Sequence, residues 1–283
     1  MSATSSLEDS GERMIPECAD PVTFWEHIYR YRFAARFVRH KRVLDVACGE
    51  GYGTVGLLKA GAESVIGVDI SRDVCEHAWK KYGLDVRVGD ASLRLPVEDA
   101  SVDVIVSFET LEHLRSPSVF VGECARTLRH NGLLIISTPN GAVYRQRAAS
   151  NPFHLFEMGE GDFCALLRSK FRRVQMYEQS ATRIGRMARV FGAGRTSELV
   201  GRWSYHPMQP GGVLAVPAGL DEVVRRDPAA AILKRESLDG RIRNPYSVRR
   251  RVGWADSQPT FLIGVARRRD GECAGWQRAC RER

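Results

Sequence analysis

A run of three alternate glycines is the first feature of this 283-residue sequence that could do chemistry. Gly49, Gly51 and Gly53 stand where an apolar segment gives way to a helical pattern. Glycine lets backbone approach a ligand closely, and a helix N-terminus offers free N–H groups. Asp69 ends the next apolar segment, so its carboxylate could accept hydrogen bonds from both hydroxyls of a ribose. Together these residues predict a nucleoside-containing cofactor.

A dinucleotide site is the alternative, because the segment from Gly51 to Gly56 matches the pattern G-x-G-x-x-G. Gly51 lies three residues past the end of the apolar segment at Cys48, and Asp69 follows it by only 18 residues. A dinucleotide site has its first glycine in the tight turn and its acid about 20 or more residues further on. The spacing therefore argues against a dinucleotide.

Carboxylates and imidazoles form the second chemical group. Glu109, Glu112 and His113 fall within about one helical turn, and His154 follows a later apolar segment that could return it to the same edge. Such groups can remove a proton from a hydroxyl. They could also hold Mn or Mg, which in turn holds vicinal hydroxyls. We favour the metal-free interpretation, in which they cap a helix or touch the substrate.

Apolar segments that alternate with helical patterns must position these residues. The strand-like segments are near-continuous in apolar residues, which is typical of parallel strands buried on both faces. The alternation predicts an α/β fold in which helices cover both faces of a mostly parallel sheet. The predicted strands are 42–48, 64–70, 85–89, 102–108, 133–137, 172–178 and 259–266, and the predicted helices between them include 52–60, 74–82, 119–129 and 160–170.

The sequence resembles the class I S-adenosylmethionine-dependent methyltransferases, of the type 11/23-like domain. The resemblance rests on VLDVACGEGYGT, VIGVDIS, VGDASLRLPVEDASVDVIVSFETLEHL, LRHNGLLIISTPN and the final FLIGVARR, in the order and spacing of the family. It covers roughly residues 25–180 and 258–268. It implies a Rossmann-like seven-stranded sheet, with S-adenosylmethionine as the methyl donor.

The resemblance also implies roles for individual residues at the cofactor. Gly49 and Gly51 are expected to line its methionine portion, and Asp69 to take the ribose hydroxyls. Asp90, followed by Ala91, is expected to meet the adenine amino group.

Other positions are expected to face the amino-acid end or the acceptor. Asp45 matches the acidic residue that helps to orient the amino-acid end. Phe108 and Glu109 stand where members of the family pass the cofactor and face the acceptor. The segment from His27 to Tyr31 resembles a helix that closes over the cofactor, with Tyr31 as a candidate.

Three functions remain open at this point. The leading expectation is methyl transfer to a hydroxyl of a small molecule or glycan, with Glu112, His113 or His154 as the base or as groups that position the acceptor. The Glu-x-x-Glu-His pattern is also similar to metal-dependent RNA 3′-terminal 2′-O-methyltransferases, with Glu109, Glu112, His113 and His154 as candidate ligands, although the usual second upstream histidine is absent. The third alternative is a non-catalytic protein that binds S-adenosylmethionine.

Segments outside the resemblance predict the domain organisation. We expect a flexible lead-in, the core, an insertion that serves as a lid or acceptor wall, the last core strand and a basic tail. These correspond to residues 1–20, 21–178, 179–257, 258–268 and 269–283.

Composition limits the class of protein further. Seven scattered cysteines without a C-x-x-C pair argue against a disulfide framework and a zinc ribbon. The sequence shows neither an apolar run long enough for a membrane span nor a signal-like N-terminus, so a cytoplasmic location is expected. The net charge of +8 would suit RNA or another acidic partner, but no aromatic residues alternate with the arginines, which favours a solvated basic surface. The oligomeric state is left open.

Overall fold

The computed structural model describes residues 7, 12–19, 21–144, 151–181, 246–250 and 260–268. The helices of this part are α1 (Pro21–Ala34), α2 (Tyr52–Lys59), α3 (Arg72–Tyr82), α4 (Pro117–Thr127), α5 (Gly141–Tyr144) and α6 (Glu160–Arg168), with 3-10 turns at Ala35–Phe37 and Leu111–His113. The strands are β1 (Arg42–Val46), β2 (Ser64–Asp69), β3 (Asp85–Val88), β4 (Val102–Ser107), β5 (Leu128–Pro139), β6 (Phe171–Ala181), β7 (Tyr246–Arg250) and β8 (Phe261–Arg268).

One sheet contains all eight strands, in the order β3-β2-β1-β4-β5-β8-β6-β7. The first five strands pair in parallel. β8 is inserted antiparallel between β5 and β6, and β7 pairs antiparallel with the outer side of β6. The carboxyl ends of β1 to β5 therefore meet at one edge, which is where ligands bind in open α/β sheets.

Two apolar cores lie on opposite faces of the sheet. Val43 and Val104 point into the core that holds Phe24 and Ile28 of α1. Their neighbours Leu44 and Ile105 point into the other core, which contains Phe120 of α4 and Phe163 of α6. Successive strand residues alternate between faces, so strands covered on both sides must be apolar throughout.

The predicted Rossmann-like, mostly parallel sheet is confirmed, and the structure adds an eighth strand to it. That strand, β7, falls inside the predicted insertion 179–257, and β6 continues to Ala181, past the predicted end of the core at 178. The rest of the insertion and the tail 269–283 lie outside the described residues. The insertion's role as a lid or acceptor wall stays a prediction.

The N-terminal lead-in differs in part from the flexible segment predicted for residues 1–20. Within 12–19, Met14 and Ile15 are buried, and Met14 belongs to the same apolar core as α1. The Lys81 ammonium donates a hydrogen bond of 2.7 Å to the Glu17 carboxylate. Two apolar anchors and this ion pair attach the segment to the core.

In the part of the chain that is described, no helix combines the length and the apolar character needed to cross a membrane.

Candidate functional site

The turn that follows β1 has the geometry of a ligand cradle. Its backbone is left-handed at Ala47, Gly49 and Gly51, with φ of +57°, +54° and +95°. A Cβ on Gly51 would lie 2.9 Å from Leu84 Cδ1, so the turn packs tightly there. A Cβ on Gly49 would meet nothing within 4 Å, so that side of the turn faces open space. Backbone is therefore exposed where a cofactor would approach it.

Asp69, at the end of β2, fastens this turn. Its Oδ2 accepts a hydrogen bond of 2.9 Å from Gly49 N–H, and its Oδ1 accepts one of 3.0 Å from Ser71 N–H. A carboxylate oxygen has lone pairs for more than one donor. The Asp69 carboxylate is thus fixed beside the open side of the turn and can still accept two hydroxyl groups.

Asp90 follows β3 at the same edge, and its Oδ1 accepts a hydrogen bond of 2.7 Å from Ser92 N–H. Ala91 is next to it and partly buried. The structure therefore places Asp69, Asp90 and the glycine turn at the carboxyl ends of β1, β2 and β3. This arrangement fits a nucleoside-containing cofactor.

Asp45 is fully buried inside β1, so its carboxylate contacts neighbouring side chains rather than solvent. Its carboxylate accepts hydrogen bonds from Thr54 Oγ1 at 2.7 Å and from the Tyr31 hydroxyl at 3.2 Å. Burial raises the pKa of Asp45 to about 7, the two hydrogen bonds oppose the rise, and the Asp69 charge adds to it. Asp45 thereby connects α1 and α2 to the strand that leads into the turn.

Phe108 and Glu109 stand at the end of β4. The Phe108 ring is buried and packs edge-on against Tyr31, with 5.1 Å between the ring centroids. Glu109 has a left-handed backbone, with φ of +54°, and its Oε1 accepts a hydrogen bond of 3.0 Å from Ser137 Oγ. Burial raises the pKa of Glu109, and the Arg30 charge is the largest influence that lowers it. Non-glycine residues with positive φ are uncommon and often functional.

Glu112, His113 and His154 converge on one point of the rim, because one ligand atom from each lies within 4.8 Å of the others. Glu109 lies outside this group among the described residues. Glu112 has no exposed surface, its Oε2 accepts from Thr138 Oγ1 at 3.2 Å, and its Oε1 has no partner in the described residues. Burial and then the Glu109 charge raise the pKa of Glu112 well above its usual value.

Hydrogen bonds distinguish the two histidines. His113 Nδ1 lies 3.0 Å from the Phe153 carbonyl oxygen, which can only accept, so Nδ1 carries the proton and Nε2 presents a lone pair. His154 Nδ1 lies 3.3 Å from a Glu157 carboxylate oxygen, and its Nε2 lies 3.1 Å from the Asn151 amide nitrogen. Burial, followed by the nearby His154, lowers the pKa of His113, which is therefore neutral near pH 7.

Arg30 is a site residue that the sequence analysis missed. It is fully buried on α1, its Nη1 donates to Gln179 Oε1 at 2.8 Å, and its guanidinium lies 4.2 Å from the centroid of the Phe261 ring. Its Nε and Nη2 have no hydrogen-bond partner among the described residues. The local sequence gives no signal for its burial, because α1 also contains the charged or polar residues Glu26, His27 and Arg32.

Comparisons with known proteins find similarity to methyltransferases. A family model for a methyltransferase domain matches residues 44–136. A probable S-adenosylmethionine-dependent methyltransferase of Mycolicibacterium smegmatis is 37% identical over 170 residues, which are 58% of this chain and 65% of that protein. A ubiquinone biosynthesis O-methyltransferase of Coxiella burnetii is 31% identical over 139 residues, which are 46% of this chain and 59% of that protein.

A solved structure supports the fold. It is a methyltransferase from Thermotoga maritima, called a possible histamine N-methyltransferase, with a TM-score of 0.55 and 16% identity over 91% of this chain and 97% of that one. The chain spans 65% and 59% of the two curated relatives, less than two thirds of either.

Proposed function

We propose, from the premise that this chain carries a class I S-adenosylmethionine-dependent methyltransferase domain, that it transfers a methyl group to a hydroxyl of a small molecule or glycan. The observation that supports a hydroxyl acceptor is the unprotonated Nε2 of His113 at the rim of the cofactor edge. A hydroxyl is a poor nucleophile until its proton is removed, whereas an amine or thiolate needs less help.

The residues around the glycine turn fit S-adenosylmethionine. Gly49 leaves room for backbone contact, Asp69 would hold the ribose hydroxyls, and Asp90 with Ala91 would border the adenine. When bound, this cofactor supplies a methyl group already activated by its sulfonium sulfur. The protein then has to orient the acceptor and exclude water, and orientation alone can account for several orders of magnitude in rate.

His113 is the proposed general base. Its Nδ1–H is held by the Phe153 carbonyl, which aims Nε2, and its lowered pKa keeps the ring neutral at physiological pH. In this role Nε2 takes the proton of the acceptor hydroxyl and holds it as imidazolium. His154, whose two ring nitrogens already have partners in Glu157 and Asn151, is better suited to position the acceptor or His113.

Glu112 is the proposed third member of this site. Its Oε1 is buried without a hydrogen-bond partner among the described residues, and one of its carboxylate oxygens lies within 4.8 Å of a ring nitrogen of each histidine. Its raised pKa favours the protonated carboxyl. A protonated Glu112 could donate a hydrogen bond to an acceptor oxygen. Glu112 and His113 belong to the same cluster, so a substitution of either residue also changes the surroundings of the other.

A metal-assisted RNA 2′-O-methyltransferase is the second candidate, because Glu112, His113 and His154 are close enough to share an ion. Against it, the Asn151 amide already donates to His154 Nε2, and Asn151 Oδ1 is fixed by Phe153 N–H at 3.0 Å. Binding of an ion at that nitrogen would require Asn151 to move.

The test is methyl transfer from labelled S-adenosylmethionine into host extract separated into protein, RNA, lipid and glycan or small-molecule fractions, each with and without EDTA. We expect label in the glycan or small-molecule fraction, unaffected by EDTA. EDTA-sensitive label in RNA would instead establish the second candidate. Cofactor binding without label in any fraction would favour a non-catalytic binding protein.

A further inference from the structure

A polar cavity lies at the edge of the sheet opposite the glycine turn. It has a volume of about 240 Å³ and is lined by Asn131, Arg172, Arg173, Arg267 and Arg268. These residues lie near the start of β5, at the start of β6 and at the end of β8, which is the edge where the parallel strands start. The cavity is therefore separate from the cofactor edge, and the proposed methyl transfer does not use it.

Two irregularities in strand pairing shape this cavity. β6 has an extra residue, because Phe171 pairs with Arg268 and Arg173 with Arg267, which leaves Arg172 unpaired. A bulge of this kind re-aims a side chain, so that two consecutive arginines can line one cavity although strand residues normally alternate between faces.

The second irregularity is in β5. Its pairing with β4 jumps from Leu128 to Leu133, and the intervening chain bends at Asn131, whose φ is +60°. The Asn131 carbonyl accepts a hydrogen bond of 3.1 Å from Arg267 Nη1, and the Leu128 carbonyl accepts one from Arg268 Nη1. Backbone oxygens thus hold two of the guanidinium groups in place.

The lining of the cavity is strongly basic. Among the described residues it consists of four arginines and Asn131, without a carboxylate. Arg173 is directly opposite Arg267 on antiparallel strands, a like-charge pairing that destabilises a sheet. The nearby Asp103 already lies 3.9 Å from Arg42 Nε and 3.5 Å from Arg129 Nη1. An anion in the cavity would relieve the repulsion.

We propose that this arginine cavity binds a free phosphate-type anion, inorganic phosphate or pyrophosphate. A planar guanidinium donates two parallel hydrogen bonds to phosphate oxygens, and several such groups around one anion give both affinity and orientation. The volume is below the range of about 300–1,000 Å³ typical of pockets for drug-sized ligands, so a small anion fits better than a nucleotide.

The experiment titrates the full chain with phosphate and with pyrophosphate by calorimetry at constant ionic strength, and measures the melting temperature in parallel. The test variant is Arg172→Gln/Arg173→Gln. The matched control is Arg39→Gln/Lys41→Gln, which removes the same charge from exposed residues outside the cavity. We expect saturable binding and a rise in melting temperature for the wild type and the control.

For the test variant we expect affinity to fall by about tenfold or more. Without anion, its melting temperature should equal or exceed that of the wild type, because a like-charge contact is gone; this also shows that the variant folds. Arg172→Gln alone should give an intermediate affinity. Absence of saturable binding by the wild type, or equal affinity in the test variant and the control, would overturn the proposal.

Discussion

His113 carries the proposed proton-removal step, and its substitution is the sharpest test of a single residue. His113→Gln should lower kcat by about 10²-fold or more and leave the dissociation constant of S-adenosylmethionine within about twofold. The wild-type kcat should rise with pH through a pKa below the usual histidine value, because burial lowers it, and this limb should vanish in the variant. His130→Gln, on the exposed start of β5, is the control. A loss of less than about threefold would remove His113 from this role.

Asp69 is the residue on which the cofactor assignment depends most. Asp69→Asn should weaken S-adenosylmethionine binding by about 10–100-fold, because the amide cannot accept as many hydrogen bonds while it also holds Gly49 N–H and Ser71 N–H. Asp73→Asn removes an exposed carboxylate four residues away and should change little. Calorimetry would measure both. Equal affinities would show that the ribose binds elsewhere.

Asp45 should make stability depend on pH. Its pKa is about 7 in the folded protein and about 3.9 in an unfolded chain, so between these values the folded state retains a proton that the unfolded state has lost. The free energy of unfolding should therefore fall as the pH rises from about 4 to about 7, by at most about 4 kcal/mol from this group. Urea titrations of Asp45→Asn should show a shallower decline, and Asp73→Asn the wild-type decline. Parallel curves for Asp45→Asn and the wild type would contradict the assignment.

The position of the glycine turn beside Asp69 could be predicted from the sequence, because Gly49, Gly51 and Asp69 lie within a single strand-helix-strand unit. Arg30 could not be. Its partner Gln179 is 149 residues away, and its contact with Phe261 joins α1 to β8. A charge that is buried by distant segments has no local signature in the sequence.

The contact between α1 and α2 gives a prediction for two elements. Gly53 lies on α2 directly beneath the Tyr31 ring, and a Cβ there would be 2.0 Å from Tyr31 Cζ. Gly53→Ala should destabilise the protein by about 1–3 kcal/mol, because the ring or the helix must shift. Gly122→Ala, on α4 with nothing within 4 Å of the added Cβ, should stabilise it by about 0.5–1 kcal/mol.

Denaturant unfolding of the single variants, Tyr31→Leu and Gly53→Ala/Tyr31→Leu would separate this contact from other effects. We expect the double variant to be less destabilised than the sum of the singles. Additive free energies would show that the helices do not meet through this pair.

The strands of the core were predictable, because burial on both faces makes β1 and β4 almost continuously apolar. β7 was not, since YSVRR lies at the outer edge of the sheet and lacks such a run. The start of β5 was also missed. Leu128–Asn131 continues the helical pattern of α4 in sequence, yet it begins β5 in the structure. Leu128 pairs with Val102 of β4, and the chain bends at Asn131. Long-range pairing overrode local propensity there.

The net charge of the whole molecule is +8, so the salt dependence of acceptor binding can distinguish between acceptor classes. A neutral glycan or small molecule should give an acceptor KM that changes by less than about threefold between 50 and 200 mM salt, because binding it releases few counterions. An RNA acceptor would lose affinity by orders of magnitude over that range. Steady-state kinetics at both salt concentrations, with cofactor binding as the control, would decide. A steep rise in KM would contradict a neutral acceptor.

The central proposal is that the methyl group passes from S-adenosylmethionine to an oxygen atom of the acceptor. The most direct measurement is carbon NMR of the product made from S-adenosylmethionine carrying a carbon-13 methyl group. We predict a product whose labelled carbon is bonded to oxygen, formed by the wild type and strongly reduced in His113→Gln. A labelled carbon bonded to nitrogen, sulfur or carbon would contradict the claim, as would undiminished product from the variant.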